Sequence, residues 1–390
     1  GDADKRLRIL QESTADFLVI NFDGVKIGAH FRKNQDPTGP RQRRRMELDG
    51  LSKALAERGD IKIAIVDEAS GYRDAQTDRH LVAREVLGKR SYLWLLTGSP
   101  TPQAPTDAYG MSKLVNNAWG KSFGTFQQDT MYKQGPFRWV PRRDGYDKAR
   151  ALLQPAIRYD ITEVWDGPSA TIQQREVALT DDQKRKMKEL KDNLQVTVRS
   201  GPITPQNEAA VRTKFLQISL GAIYDSEHEV HAVDAEPRLK EAENVLEQTN
   251  RKVVIFVPLT SILNLVYKRL SKRWTGVVLN GPVSPKQRAE NIRRFAEDDD
   301  VKFVVADPGT TAHGINAFAL VADVVLWFSP VEKNELYLQG NARVNRPGQR
   351  YPMTFVQLVS NPLEREIYRR LETNTSLQGA LLDMIARGEL

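Results

Sequence analysis

The chain has 390 residues, with 57 Lys and Arg against 50 Asp and Glu for a formal charge of +7; 40% of its residues are apolar and none is cysteine. At roughly 100–200 residues per domain this length predicts two or three domains with packed cores. The composition excludes disulfides and Cys-based zinc sites, no apolar run approaches the ~18 residues of a membrane span, and the modest basic surplus favours a polyanionic partner.

In the first half, three apolar runs read as strands: Asp16–Asp23, Ile61–Asp67 and Tyr92–Thr97. The second ends in Val66-Asp67-Glu68-Ala69-Ser70. In open α/β sheets ligands sit beyond the carboxyl ends of the strands, so both carboxylates fall at the ligand edge. The pair suits a magnesium ligand, Asp67, followed by a group that orients water, Glu68; the plainer reading is two solvated acids at a strand end. The third run ends in Leu96-Thr97-Gly98-Ser99-Pro100, with two short hydroxyl side chains around a glycine that permits close backbone approach; read alone, it is a turn. Arg41-Gln-Arg43-Arg44-Arg45 is the densest positive run and reads either as a solvated face or as a contact for DNA.

Residues 118–235 carry few strand-like runs and many breakers, among them Pro136, Pro141, Pro155, Pro168, Pro202 and Pro205. Thr180–Leu194 reads as a charged helix with Thr180 as its N-cap ahead of Asp181 and Asp182, and Ala209–Gly221 as a second helix. The region is expected to be a helical insertion plus the connection between two sheet domains. His228 and His231 have no third ligand near in sequence, and no metal is assigned to them.

The second half alternates strands with helices. Lys252–Val257, Gly276–Leu279, Lys302–Ala306, Asp323–Phe328 and Met353–Leu358 are apolar runs, and Leu259, Ile262, Leu263, Val266 and Leu270 follow the three–four spacing of a helix face. Fully apolar strands between helices predict parallel sheets covered on both faces. Most of the six tryptophans read as strand or core positions. After the strand at Asp323–Phe328 comes Gln339-Gly-Asn-Ala-Arg343-Val-Asn-Arg346-Pro-Gly-Gln349, two arginines three residues apart framed by glutamines. Their planar, permanently charged forks suit phosphate oxygens. An early acid pair and a late arginine pair suggest a nucleotide held between two lobes.

In this order the segments resemble the superfamily-two helicases, in the Swi/Snf-like branch of DNA-dependent ATPases. Asp67-Glu68-Ala69-Ser70 is similar to the family's acidic box, Leu96-Thr97-Gly98-Ser99-Pro100 to its Leu-Thr-Gly-Thr-Pro motif, and Asn21-Phe22-Asp23 to the segment before the box. Ala312-His313-Gly314-Ile315-Asn316 is similar to its glycine-rich motif, and Gln339, Arg343, Arg346, Gly348 and Gln349 match the final arginine motif. Arg288, Phe295 and Glu366-Ile-Tyr368 fit the softer features between and after them. The resemblance implies an α/β fold of two RecA-like parallel-sheet lobes with a helical insertion between them. Residues 1–165 would be a partial first lobe, 166–235 the insertion and linker, and 236–390 the second lobe. It implies ATP and Mg2+ as cofactors, Asp67 on the metal, Glu68 as water-orienting base, Arg346 as arginine finger with Arg343 beside it, and Gln339 and Gly314 at the nucleotide. Thr97, Ser99, Thr311, His313 and Asn316 would couple to a DNA backbone, duplex by preference. No membrane partner is expected. The compact layout is similar to bacterial and phage members, so a cytoplasmic, nucleoid-associated setting is expected rather than a nuclear one.

One part is missing. Such an ATPase needs a Gly-x-x-x-x-Gly-Lys-Ser/Thr loop to cradle phosphates, and Gly120-Lys121-Ser122 has the wrong residue at Val115 and the wrong order relative to the acidic box. By resemblance the loop is expected upstream of Gly1 and the first lobe is incomplete. A non-catalytic nucleic-acid-binding scaffold is the alternative.

Overall fold

The computed structural model describes the chain apart from residues 1, 33–44, 117–119, 135–137, 160, 201–204, 225–226, 228, 312–316, 374–379, 382–383, 385–386, 388 and 390. The chain divides into two compact units, Gly1–Ile157 and Arg158–Leu390. The α/β expectation holds, and among the described residues no helix is long and apolar enough to cross a membrane.

Among its described residues the first unit holds three two-stranded sheets. β1 (Ala29–Arg32) and β2 (Arg45–Leu48) are antiparallel, as are β5 (Met131–Gln134) and β6 (Arg138–Pro141). β3 (Ile63–Val66) and β4 (Tyr92–Leu95) are parallel, with Ile63 opposite Tyr92 and Val66 opposite Leu95. Their alternation is one-sided. Val66, Leu93 and Leu95 pack with Tyr72, Ala83, Met111 and Leu114, whereas Ile63, Ile65, Tyr92 and Trp94 face outward.

Asp16–Asp23, read as a strand, is not one. Residues 16–21 run without regular structure into a short helix, Phe22–Val25. The side chain of Asn21 accepts a hydrogen bond from Gly24 N at 2.9 Å and caps that helix, so a local bond takes over the backbone that the apolar run had suggested for a ladder. Phe22 then lies edge-on against Tyr72, with ring centroids 5.0 Å apart.

The second unit is built on a six-stranded parallel sheet. Its strands are β7 (Ala170–Glu176), β10 (Lys252–Phe256), β11 (Thr275–Leu279), β12 (Val301–Ala306), β13 (Ala322–Trp327) and β14 (Met353–Val359), in the order β11-β12-β10-β13-β14-β7. A small antiparallel pair, β8 (Ala222–Tyr224) and β9 (Val230–Ala232), accompanies it and contains His231. Successive residues of β10 alternate between two cores. Val254 and Phe256 join Val304, Val325, Trp327 and Phe355, while Val253 and Ile255 join Leu263, Val266, Val305, Leu326 and Val356. Burial on both faces is why these strands read as unbroken apolar runs.

The connection expected at 166–235 is helical over Asp181–Ser200 and Pro205–Leu220, and Thr180 accepts from Gln183 N as the N-cap of the first. It also supplies β7, which pairs with β14 at the sheet edge. β7 is almost wholly exposed and polar, so it lacks the apolar signature of the central strands.

Candidate functional site

The acid pair follows β3 directly. Backbone pairing continues past the strand ends, with Leu96 N donating to Val66 O at 2.8 Å and Ala69 N donating to Leu96 O at 2.8 Å. That ladder holds Asp67 and Glu68 beside Thr97. Burial of Ala69 and Tyr72 draws the chain into a 3-10 turn at Ala69–Tyr72. The bend falls on Glu68, which takes φ 51° and ψ 47° and is the one non-glycine residue with positive φ among the described residues. Non-glycine residues pay a steric cost in this region, and such outliers concentrate at functional sites.

Asp67 is exposed, and its Oδ1 accepts from Glu68 N at 3.0 Å. An accessible carboxylate fits magnesium, which binds through one or two carboxylates plus phosphates and keeps several waters. A protein-made cage does not arise: among the described residues no three His, Asp or Glu side chains gather to hold a metal. Beyond β4, the hydroxyl of Thr97 donates to Ser99 O and accepts from Ser99 N, both at 3.3 Å, while Gly98 has open space about it. Nearby, Lys26 and then Arg79 hold the exposed Asp23 carboxyl below its ordinary range, with the Lys26 hydrogen bond the largest cause.

The lookalike Gly120-Lys121-Ser122 has other employment. Lys121 pairs with Asp129 at 2.6 Å, and Ser122 caps the helix Phe123–Thr130 by accepting from Thr125 N.

In the second unit the arginine stretch starts in the helix Asn334–Asn341, beyond the carboxyl end of β13, and continues through turns to Gln349. Several contacts fix it. A Cβ at Gly340 would lie 2.8 Å from Trp327 and 3.1 Å from Phe256, so glycine lets the helix close on the sheet. Trp327 Nε1 donates to Asn341 Oδ1 at 2.8 Å, and Val344 is fully buried. Gln349 Nε2 donates to Ala322 O at 2.8 Å, and its Oε1 accepts from Arg350 N and Tyr351 N at 2.9 and 3.0 Å. Gly348 turns the chain at φ 105°. Arg343 and Arg346 flank the buried Val344 and are half-buried, so this stretch is a braced loop rather than one continuous helix face. Gln339 Nε2 lies 3.5 Å from Glu335 Oε1.

The loop after β12 reaches the same edge. Asp307 N donates to Leu279 O at 2.9 Å, and Asp307 Oδ1 accepts from Thr310 N at 3.1 Å. The short helix Pro308–Thr311 packs beside Asn334–Asn341. Loops after β12 and β13 thus flank the carboxyl end of β10, where strand order changes direction, the usual place for a ligand in an open α/β sheet. His313, Gly314 and Asn316 lie outside the described residues, as do Arg41–Arg44 and the side chain of Thr311.

Sequence reasoning missed a buried brace. Arg238, 1% exposed, donates to Phe328 O just past β13, to Ser360 Oγ past β14, and to Glu364 Oε2 at 2.6 Å. Glu364 also accepts from Ser360 N at 2.7 Å. The partners are 126 residues apart, so no local spacing reveals them.

No family model matches the chain. In sequence it is 28% identical over 148 residues to the human SWI/SNF-related matrix-associated actin-dependent regulator of chromatin subfamily A member 1; the match covers 35% of this chain and 14% of that protein. Among solved structures it is similar to the Sulfolobus solfataricus SWI2/SNF2 ATPase core in complex with dsDNA, with 21% identity, 86% of this chain and 72% of that one covered, and a TM-score of 0.43. The C-terminal part of the Fun30 ATPase domain is similar at 14% identity over 52% of this chain and 89% of that one, with a TM-score of 0.42. The human relative carries the SWI/SNF name, in agreement with the branch that the ordered motifs of this chain resemble.

Proposed function

We propose that this chain is the core of a nucleic-acid-dependent ATPase that hydrolyses ATP between two lobes and uses the cycle to move along DNA. The observation that carries this reading is one of placement. An acid pair with two hydroxyl residues lies beyond one parallel sheet, and a braced arginine loop lies beyond the other.

In this reading Asp67 holds Mg2+, which when bound neutralises charge on the phosphate oxygens. Glu68 orients the attacking water. Arg346 acts as the arginine finger with Arg343 beside it, and both offset charge that builds on the transferred phosphoryl group. Gln339 and Gly314 contact the nucleotide. Thr97, Ser99, Thr311, His313 and Asn316 couple nucleotide state to the DNA backbone. Nucleotide favours a closed arrangement of the lobes and product release an open one. Contacts to DNA are mainly to phosphates, hence largely indifferent to sequence and weakened by salt. The reading requires a phosphate loop, and residues 1–390 contain no Gly-x-x-x-x-Gly-Lys-Ser/Thr stretch.

The test is ATP turnover with duplex DNA, single-stranded DNA and RNA across a salt series. It is run on residues 1–390 alone and on the polypeptide that includes the phosphate loop. Residues 1–390 alone stay near background. With the loop present, duplex DNA stimulates turnover and salt suppresses the effect. Glu68→Gln and Arg346→Ala each lower turnover by about 10³-fold or more, while Glu68→Gln still binds nucleotide. Normal turnover in either variant removes these roles. Turnover that no nucleic acid stimulates removes the track.

A further inference from the structure

Within the apolar run of β14, Gln357 is wholly buried. Burying an amide costs free energy unless its donors and its acceptor all find partners. Gln357 Nε2 donates to the Tyr337 hydroxyl at 2.9 Å and to Glu372 Oε1 at 2.6 Å, and Gln357 Oε1 accepts from Gln174 Nε2 at 2.9 Å. Both N–H groups and the carbonyl of the amide are thereby used. The register explains the meeting. Gln357 lies opposite Trp327 in β13 and opposite Gln174 in β7, so the three stand side by side on neighbouring strands. The helix Asn334–Asn341 closes over them. Tyr337 sets its ring against Trp327, with centroids 5.0 Å apart, and Trp327 Nε1 donates to Asn341 Oδ1 at 2.8 Å. Burial pushes the Tyr337 hydroxyl above its ordinary range, and the Asn341 and Gln357 amides that face it act the other way. Asn341 is the last residue of its helix, and its carbonyl accepts from Val344 N at 3.1 Å and from Asn345 N at 2.9 Å. Those two bonds open the turns that carry Arg343 and Arg346.

We propose that Gln357 and Tyr337 are positioning residues for the arginine loop, and that the edge strand β7 belongs to the device that sets it. What the arginines do there rests on the ATPase reading above. An aliphatic side chain at position 357 would fill the core without the desolvation cost, so what the amide adds is direction. A fully satisfied buried network fixes one arrangement of its members, and here that arrangement holds the helix end just before Arg343. Stabilisation of a transferring phosphoryl group depends on where the charges stand, and a misplacement of about 1 Å is worth about 10²-fold in rate. β7 is the first strand after the boundary between the two units, and Gln174 is the exposed end of the network. The seating of that strand is therefore felt at the arginines.

Gln357→Met removes the amide at nearly constant volume, and Tyr337→Phe removes the hydroxyl alone. In residues 1–390, amide exchange is read at residues 342–349 and in β10, and the Trp327 indole N–H is followed by NMR. Either variant is expected to speed exchange at residues 342–349 by about fivefold or more and to shift the indole signal, with β10 unchanged. In the polypeptide that includes the phosphate loop, each lowers kcat by about tenfold or more while KM for ATP stays within about twofold. The double variant costs no more than the worse single one, because the two residues act as a unit. Gln174→Ala gives a smaller change in the same segment. Unchanged exchange at residues 342–349, strictly additive losses, or equally faster exchange in β10 overturns the proposal, the last by making Gln357 part of general packing. A loosened segment with undiminished kcat overturns it too. If Gln357→Met does not fold, Tyr337→Phe with Gln174→Ala carries the same test. Faster exchange confined to residues 342–349, in a protein whose parent hydrolyses no ATP, keeps the network and sinks the ATPase reading. Normal parent turnover with no variant altering that segment does the reverse.

Discussion

The two units solve the same problem to different degrees. In the second, every residue of β10 from Val253 to Phe256 is fully buried, with one core on each face. In the first, β3 alternates between a buried face and an exposed one, and its sheet stops at two strands. Both sheets end in candidate chemistry, but only the second surrounds its own. The sheet that holds the arginine loop is covered on both faces of its central strands, while the sheet that holds the acid pair is covered on one.

The sharpest way to break this contrast is at the braces. The second unit ties the ends of β13 and β14 together through Arg238 and Glu364, both essentially inaccessible, whereas the first has pairs such as Arg58–Asp60 at the surface. Arg238→Met leaves Glu364 buried beside Ser360 without its cation and is expected to lower stability by about 3–5 kcal/mol. The double variant Arg238→Met/Glu364→Leu recovers most of that, because the desolvated charge has gone with its partner. Chemical denaturation of the single and double variants measures both. A loss under about 1 kcal/mol in the single variant makes the network incidental.

Next comes a matched pair of deletions. Ile255→Ala in β10 removes a fully buried side chain and is expected to cost about 2–4 kcal/mol, with the cavity adding to the lost transfer energy. Ile65→Ala in β3 removes one that is 55% exposed and is expected to cost under about 0.5 kcal/mol. Hydrogen exchange within each sheet reports the two separately. Equal costs would mean that the β3–β4 face is covered in solution.

The same contrast decides what was legible in the sequence. The central strands of the second sheet fall within a residue or two of their apolar runs because both faces are buried. β7 was not visible, since an edge strand with polar side chains on both faces carries no apolar period. Asp16–Asp23 misled because its apolar run is real but Asn21 caps a helix within it. At the candidate site the residue types and their order were legible. The brace around the arginines was not, since it depends on Gly340 meeting Trp327 and on Gln349 reaching back to Ala322, contacts set by tertiary packing. The left-handed turn at Glu68 had no local signal either, because the residue there is not one that favours such a turn.

That turn gives the smallest effect and the closest look at the acid pair. Glu68 sits at φ 51°, where a side chain bearing a Cβ costs about 1–2 kcal/mol and glycine costs nothing sterically. Glycine also loses more backbone entropy on folding, by roughly 0.5–1 kcal/mol. Glu68→Gly is therefore expected to stabilise the first unit by about 0.5–1 kcal/mol while removing the group proposed to orient water. Glu68→Ala keeps the Cβ in the strained region and is expected to stabilise nothing, while losing the same carboxylate. Comparing the two variants in denaturation and in turnover separates backbone strain from chemistry. If glycine destabilises the unit, the turn is held by the Glu68 side chain and not imposed by burial of Ala69 and Tyr72. If glycine stabilises and turnover persists, the turn is strained for a reason other than catalysis.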